Sequence, residues 1–60
     1  MLKDARIEEG LTQRQLAELS GVPRRTIQNW EESGFENATV KNAVRVARVL
    51  GRSIEGLLED

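Results

Sequence analysis

The stretch TQRQLAELSGVPRRTIQNWE, residues 12–31, decides the fold of this chain. Thr12 is a good N-cap residue and Gln15 follows at the spacing of a capping box, which predicts that a helix begins here. Gly21 suits a sharp change of direction because glycine adopts positive φ without steric cost. Pro23 predicts the first turn of a second helix, since its φ is fixed and it lacks an N–H group. The stretch therefore predicts two short helices joined by a tight turn.

The side chains of this stretch fit two helices that pack against each other as a helix-turn-helix. Ala17 is small enough to let the second helix approach closely. Leu16, Val22 and Ile27 can fill the angle between the helices. Trp30 follows Ile27 by three residues, on the same face. That position favours a core role for Trp30 over a role as a stacking platform for bases.

Three further helices are predicted around this motif: one before it and two after it. The helix before it runs from about residue 2 to residue 9 and stops at Gly10. The second helix of the motif, which begins at Pro23, runs to about Glu31 or Glu32, and a polar loop follows over residues 33–37. A fourth helix is capped by Thr39 and ends before Gly51, and Ser53 caps a short fifth helix.

The predicted fourth helix has one apolar side and one positive side. The residues predicted to be buried recur at three-and-four spacing and are Val40, Ala43, Val44, Ala47 and Leu50. The cations on the opposite face are Lys41, Arg45, Arg48 and Arg52. Two interpretations remain for this positive face: an ordinary solvated surface, or a surface for phosphates or an acidic partner.

Composition excludes several classes of protein. A chain of 60 residues makes a single domain, residues 1–60, with a thin core. With no cysteine and no histidine, we expect no disulfide, no metal site, no cofactor and no enzymatic activity. No apolar stretch is long enough to span a membrane, and the N-terminus lacks a signal-peptide pattern. We therefore expect a cytoplasmic protein.

The net charge of −1 conceals a separation of charge along the chain. Residues 12–30 carry a balance of +2, and residues 39–52 carry +4 with no acidic residue. Residues 31–38 and 53–60 each carry −3. The two positive segments contain the second helix of the predicted motif and the fourth helix.

The order and spacing of these motifs resemble the Cro and phage-repressor family, also called XRE-type helix-turn-helix proteins. The segments that carry the resemblance are Gly10–Gln13, Leu16–Ala17, Gly21–Val22, Thr26–Ile27, Trp30–Glu31, Leu50–Gly51, Ser53–Ile54 and Leu57–Leu58. They cover almost the whole chain. The resemblance implies an all-α, compact five-helix domain of prokaryotic or phage type, in which the third helix enters the major groove of double-stranded DNA.

The resemblance also implies roles for individual residues. Base-reading positions fall on Pro23, Arg24, Arg25, Gln28 and Asn29. Phosphate-contacting positions fall on Gln13 and Lys41. Arg6 and Glu31 match a structural ion pair that ties the first helix to the end of the third. Two other interpretations stay open: the arginine pair as solvated surface, and Gln13 as a contributor to the local caps.

The chain departs from the family pattern after Glu31. Many family members carry lysines or arginines in this loop, whereas residues 32–37 are acidic here. Phe35 either covers the edge of the core or contributes to an interface, and Leu57 and Leu58 either close the core or begin a dimer contact.

Two functions are compatible with this pattern. The first is a sequence-specific DNA-binding regulator, a repressor that binds a palindromic operator as a homodimer. The alternative is a protein-interaction module, antitoxin-like or accessory, with weak DNA binding and a protein partner on the 32–37 loop.

Overall fold

The computed structural model describes residues 2–35 and 38–58, which fold into five α-helices. The helices are α1 (Leu2–Glu8), α2 (Gln13–Ser20), α3 (Arg24–Ser33), α4 (Val40–Leu50) and α5 (Ile54–Leu58). The all-α, five-helix prediction is confirmed. Glu36 and Asn37 of the predicted polar loop lie outside the described residues.

The second helix lies at the centre of the packing. It contacts α3 on one side and α4 on another, while α1 packs against α3 and α5 packs against α4. The most deeply buried side chains are Leu16, Val22, Ile27, Val46 and Leu50. Leu16 and Ile27 therefore fill the angle of the motif as predicted, and α4 closes the core over them.

The predicted caps of α2, α4 and α5 are confirmed by their hydrogen bonds. Thr12 and Gln15 form a capping box: the Gln15 N–H donates to Thr12 Oγ1 at 3.0 Å, and the Thr12 N–H donates to Gln15 Oε1 at 2.8 Å. Thr39 Oγ1 accepts from the Asn42 N–H at the start of α4. Ser53 Oγ accepts from the backbone N–H of the third residue of α5.

The turn between α2 and α3 is built on Gly21. Its φ of 74° is left-handed, and its N–H donates to the Ala17 carbonyl at 2.9 Å to end α2. Val22, 1% exposed, then places its side chain in the core. Pro23 is the N-cap of α3 and not a residue of its first turn, because its ψ of 139° is extended. The Pro23 carbonyl accepts the first hydrogen bonds of α3, from the N–H groups of Thr26 and Ile27.

The third helix extends one to two residues further than the sequence predicted. Ser33, expected in the loop, is its last residue. Gly34 ends the helix with a φ of 80°, and its N–H donates to the Trp30 carbonyl at 2.8 Å. The end of α3 is thus fixed by a glycine backbone conformation and not by the polarity of the preceding residues.

Trp30 and Phe35 pack together where α3 ends. Trp30 is 6% exposed, which confirms its core role, and its ring centroid lies 4.9 Å from that of Phe35. Phe35 is half-buried against the core, so it covers the core edge. Leu57 is 3% exposed and closes the core from α5. The side chain of Leu58 lies outside the part that the structure describes.

The predicted buried stripe of α4 is partly wrong. Ala43, Ala47 and Leu50 are buried as expected, but Val40 is 76% exposed and Val44 is half-buried. Val46, which the sequence analysis left out, is fully buried. Seven of the eleven residues of α4 are apolar, so more than one stripe satisfies the three-and-four spacing. Packing against α2 selects the stripe that contains Val46.

This correction predicts different effects for two identical substitutions in one helix. We expect Val46→Ala to lower the free energy of unfolding by about 2 kcal/mol, because it removes buried methyl groups and leaves a cavity. Val40→Ala should leave stability nearly unchanged because its side chain is already in solvent. Urea denaturation of both variants measures the difference. Equal losses would mean that α4 is rotated relative to the structure described here.

Candidate DNA interface

The outward face of α3 carries polar side chains. Ile27 and Trp30 hold the opposite face in the core. The exposed residues in the first two turns are Arg24, Arg25, Gln28 and Asn29. Gln28 and Asn29 lie three and four residues after Arg25, so all three share one side of the helix. Pro23 is exposed immediately before them, so all five residues expected to read bases lie at the N-cap or within the first two turns of α3.

The donors on this face are not engaged by the protein itself. Among residues 2–35 and 38–58, none of Arg24, Arg25, Gln28 and Asn29 forms a side-chain hydrogen bond or ion pair. Their side chains can therefore bind a ligand without first breaking an intramolecular contact. The two guanidinium groups also give the start of α3 a local positive charge.

Arg6 of α1 and Glu31 of α3 form an ion pair next to this face. Arg6 Nε donates to Glu31 Oε2 at 2.7 Å and Arg6 Nη2 donates to Glu31 Oε1 at 3.1 Å, a bidentate arrangement. The side chains are only 11% and 5% exposed, respectively. Arg6 Nη1 also donates to the Leu11 carbonyl at 2.8 Å. One guanidinium group thus joins α1, the turn before α2 and the far half of α3.

The ionised form of Glu31 is favoured by these contacts. Burial alone would raise the pKa of Glu31. The hydrogen bonds from Arg6 and Gln13 and the positive charges of Arg6 and Lys3 together outweigh the effect of burial. The pKa of Glu31 is therefore lowered. The hydrogen bond to Glu31 raises the pKa of Arg6 against the opposing effect of burial. Both partners are therefore charged at neutral pH.

Gln13, expected to contact phosphate, is the first residue of α2 and also binds Glu31. Its Nε2 donates to Glu31 Oε1 at 3.1 Å, and its side chain is half-buried. It takes no part in the cap of α2, which Thr12 and Gln15 form between them. Sequence reasoning missed this contact because 18 residues separate the partners and no periodicity relates them.

Comparison with known proteins identifies the family. A family model described as HTH_3, helix-turn-helix, matches residues 2–57, which is nearly the whole chain. The chain belongs to the Cro-like, XRE-type helix-turn-helix family. No curated protein and no solved structure gave a match. The family is one of DNA-binding regulators and not of enzymes, so this XRE-type chain is a DNA-binding helix-turn-helix domain.

The basic face of α4 in this XRE-type domain differs from the sequence expectation. Lys41, Arg45 and Arg48 are exposed. Arg52, beyond the end of the helix, is also exposed, but it forms an ion pair with Glu8 of α1 that the sequence did not predict. Lys41, the second expected phosphate contact, lies in the first turn of α4, where the sequence predicted it.

A shallow apolar groove lies between the loop after α3 and the last two helices. Its lining residues are Phe35, Ala38, Val40, Ala43 and Ile54. This groove was not predicted from the sequence because Val40 was expected to be buried. The strongly exposed Val40 side chain is at its edge, so the groove offers apolar surface to solvent.

The described residues form neither a metal-binding cluster nor a membrane-spanning helix. Within residues 2–35 and 38–58, no group of three or more acidic side chains is arranged to hold a metal ion. None of the described helices has the length and apolar character needed to cross a bilayer.

The Arg6–Glu31 pair predicts unequal effects for two glutamate substitutions. We expect Glu31→Ala to lower the free energy of unfolding by about 3 kcal/mol or more, because it leaves the Arg6 charge buried and unpaired. Glu18→Ala is the matched control, since Glu18 also pairs with an arginine but is 67% exposed, and it should cost well under 1 kcal/mol. Thermal denaturation at pH 7 measures both losses.

The stability difference between the wild type and Glu31→Ala should also depend on pH. Because folding lowers the pKa of Glu31 below its ordinary value of 4.5, its contribution is complete above that value. It is lost as the pH falls through the lower pKa of the folded state. A difference in the free energy of unfolding that stays constant down to pH 2 would contradict the lowered pKa of Glu31.

Proposed function

We propose that this domain is a sequence-specific regulator that represses transcription by occupying a palindromic operator as a homodimer. The observation that carries the proposal is the exposed polar face of α3, whose donors are free and whose backbone is held rigidly. Ile27 and Trp30 anchor α3 in the core, and Glu31 ties it to Arg6. Base contacts need side chains whose positions are defined before binding, and a rigid helix supplies them.

The residue types on α3 match the hydrogen-bonding pattern of the major groove. Arg24 and Arg25 would each donate two hydrogen bonds to O6 and N7 of a guanine. Gln28 and Asn29 would pair with N6 and N7 of an adenine. Pro23 would contribute apolar surface beside them, suited to a thymine methyl group. Each bidentate pair contributes about 1–3 kcal/mol of discrimination against the wrong base.

Phosphate contacts would flank this face. Gln13 lies at the N-terminus of α2, where the first N–H groups of a helix have no intrahelical acceptor. Lys41 lies at the start of α4 and would contribute a positive charge. Few charged contacts imply weak binding by one copy and an affinity that falls with salt. A two-fold dimer would present two α3 helices to half-sites about 34–36 Å apart and would add the contacts of both copies.

The proposal predicts the effect of one substitution on the recognition face. Selection from a random duplex pool at low salt should enrich a palindrome. We expect Arg25→Ala to weaken binding to that duplex by roughly 5- to 150-fold, because it removes a bidentate base contact, while leaving the fold intact. Arg52→Ala removes the same charge from a residue already paired with Glu8, and should have a much smaller effect.

The outcome of the selection decides whether the domain binds DNA with sequence specificity. A palindrome that is lost when Arg24 and Arg25 are both replaced by alanine supports the proposal. Enrichment that persists in this double variant would remove the base-reading assignment of α3, whereas no enrichment by the wild type would remove the function itself.

A second candidate function is favoured by the apolar groove. The same fold could serve as a protein-interaction module, with the groove and the 32–37 loop forming the contact and DNA bound only weakly. Phe35 serves poorly as a test of this function because it packs against Trp30, and its loss would perturb the core. Val40 is the better probe because it is the most exposed lining residue.

The regulator proposal predicts that Val40→Asp leaves the affinity for a single half-site duplex unchanged. The side chain at position 40 is in solvent, so the fold should tolerate the substitution. Fluorescence anisotropy with a labelled half-site measures the affinity. Under the interaction-module function the wild type would bind this duplex weakly, and Val40→Asp would instead abolish capture of the protein partner.

A further inference from the structure

We propose that Glu31 is a positioning residue for DNA binding: its carboxylate fixes the side-chain amide of Gln13 in the orientation that contacts phosphate. The inference rests on the proposed function, because it assumes that Gln13 contacts the DNA backbone. It assigns to the Arg6–Glu31 pair a role in binding in addition to its role in holding the helices together.

The chemistry of the acceptor settles which way the Gln13 amide faces. An ionised carboxylate only accepts hydrogen bonds, so the atom 3.1 Å from Glu31 Oε1 must be the NH₂ nitrogen of Gln13 and not its oxygen. The lowered pKa of Glu31 keeps this acceptor ionised at neutral pH. The amide of Gln13 is therefore held in one of its two possible orientations.

The second N–H of the same amide is left available. Within residues 2–35 and 38–58, Gln13 makes no other side-chain hydrogen bond. The amide is planar, so this second N–H points away from the carboxylate that holds the first. Glu31 is 5% exposed at its side chain while Gln13 is half-buried, so one N–H is directed inward and the other is free to meet an anion.

The position of Glu31 is in turn set by Arg6. The bidentate contact from Nε and Nη2 occupies both carboxylate oxygens, and Oε1 is shared between Arg6 and Gln13. A glutamine at the start of a helix would otherwise sample many rotamers, and ordering it on binding would reduce affinity. The shared carboxylate orders the Gln13 side chain already in the free protein.

The test replaces the ion pair without changing the net charge. The double substitution Arg6→Met with Glu31→Leu removes one positive and one negative charge and fills the space with apolar side chains, an exchange that buried pairs often tolerate. We expect it to lower affinity for the selected operator by the same factor as Gln13→Ala, roughly 3- to 10-fold, the value of one hydrogen bond. Adding Gln13→Ala to it should cause no further loss.

Two controls distinguish a loss of Gln13 positioning from a loss of fold stability and from a change in electrostatic attraction to DNA. Val46→Ala destabilises the core without contacting Gln13, and should bind as the wild type does at temperatures where it is folded. The slope of log affinity against log salt concentration should be the same in all these variants. Gln13 is neutral, and the double substitution leaves the net charge unchanged. Circular dichroism at the assay temperature establishes that each variant is folded.

Nuclear magnetic resonance of the wild type gives a second measurement that needs no substitution. Addition of the operator duplex should move the chemical shift of the outward Nε2 proton of Gln13, while the Nε2 proton bound to Glu31 keeps its shift. Movement of both protons, as the amide leaves Glu31, would overturn the inference even if the double substitution prevents folding.

The remaining outcomes are also decisive. The positioning role would be overturned if the folded Arg6→Met, Glu31→Leu protein bound the operator as the wild type does. It would also be overturned if the affinity losses of this double substitution and of Gln13→Ala multiplied when combined. Either result would leave the regulator function standing. A wild type that selects no duplex at all would overturn the proposed function and this inference with it.

Discussion

The structure depends on one buried carboxylate. Glu31 accepts hydrogen bonds from Arg6 and from Gln13, and Arg6 also binds the Leu11 carbonyl. The contacts therefore join α1, α2 and α3 at a single point. A chain of 60 residues buries little apolar surface, so a polar contact that orients three helices has a large share in fixing their angles. Whether this pair adds net stability over an apolar substitute is a separate matter from the orientation it imposes.

Local chemistry made most of the helix boundaries predictable. Thr12 and Thr39 carry side-chain oxygens that cap the first turn, and this preference acts over three residues without reference to the rest of the fold. Gly21 and Gly51 end their helices through a left-handed backbone that other residues avoid. Pairing of Arg6 with Glu31, by contrast, came from the family resemblance, since nothing in the local sequence relates residues 25 positions apart.

Features that depend on tertiary packing were not predictable in this way. The face of α4 that is buried is set by contact with α2, and an apolar-rich helix offers several faces of similar quality. For that reason Val46 was missed and Val40 was wrongly assigned to the core. The groove beside Val40 is formed by three separate segments and has no signature in any one of them. The bond between Gln13 and Glu31 likewise exists only once α2 and α3 have packed.

The contact between Trp30 and Phe35 has an optical consequence. Trp30 is the only tryptophan of the chain, and the chain contains no tyrosine. Near-ultraviolet absorption and emission therefore come almost entirely from one indole, which is buried near the end of α3 and tilted by 36° relative to the Phe35 ring. The domain carries its own chromophore where α3 meets the core, so its intrinsic fluorescence reports on the packing of α3 without any added label.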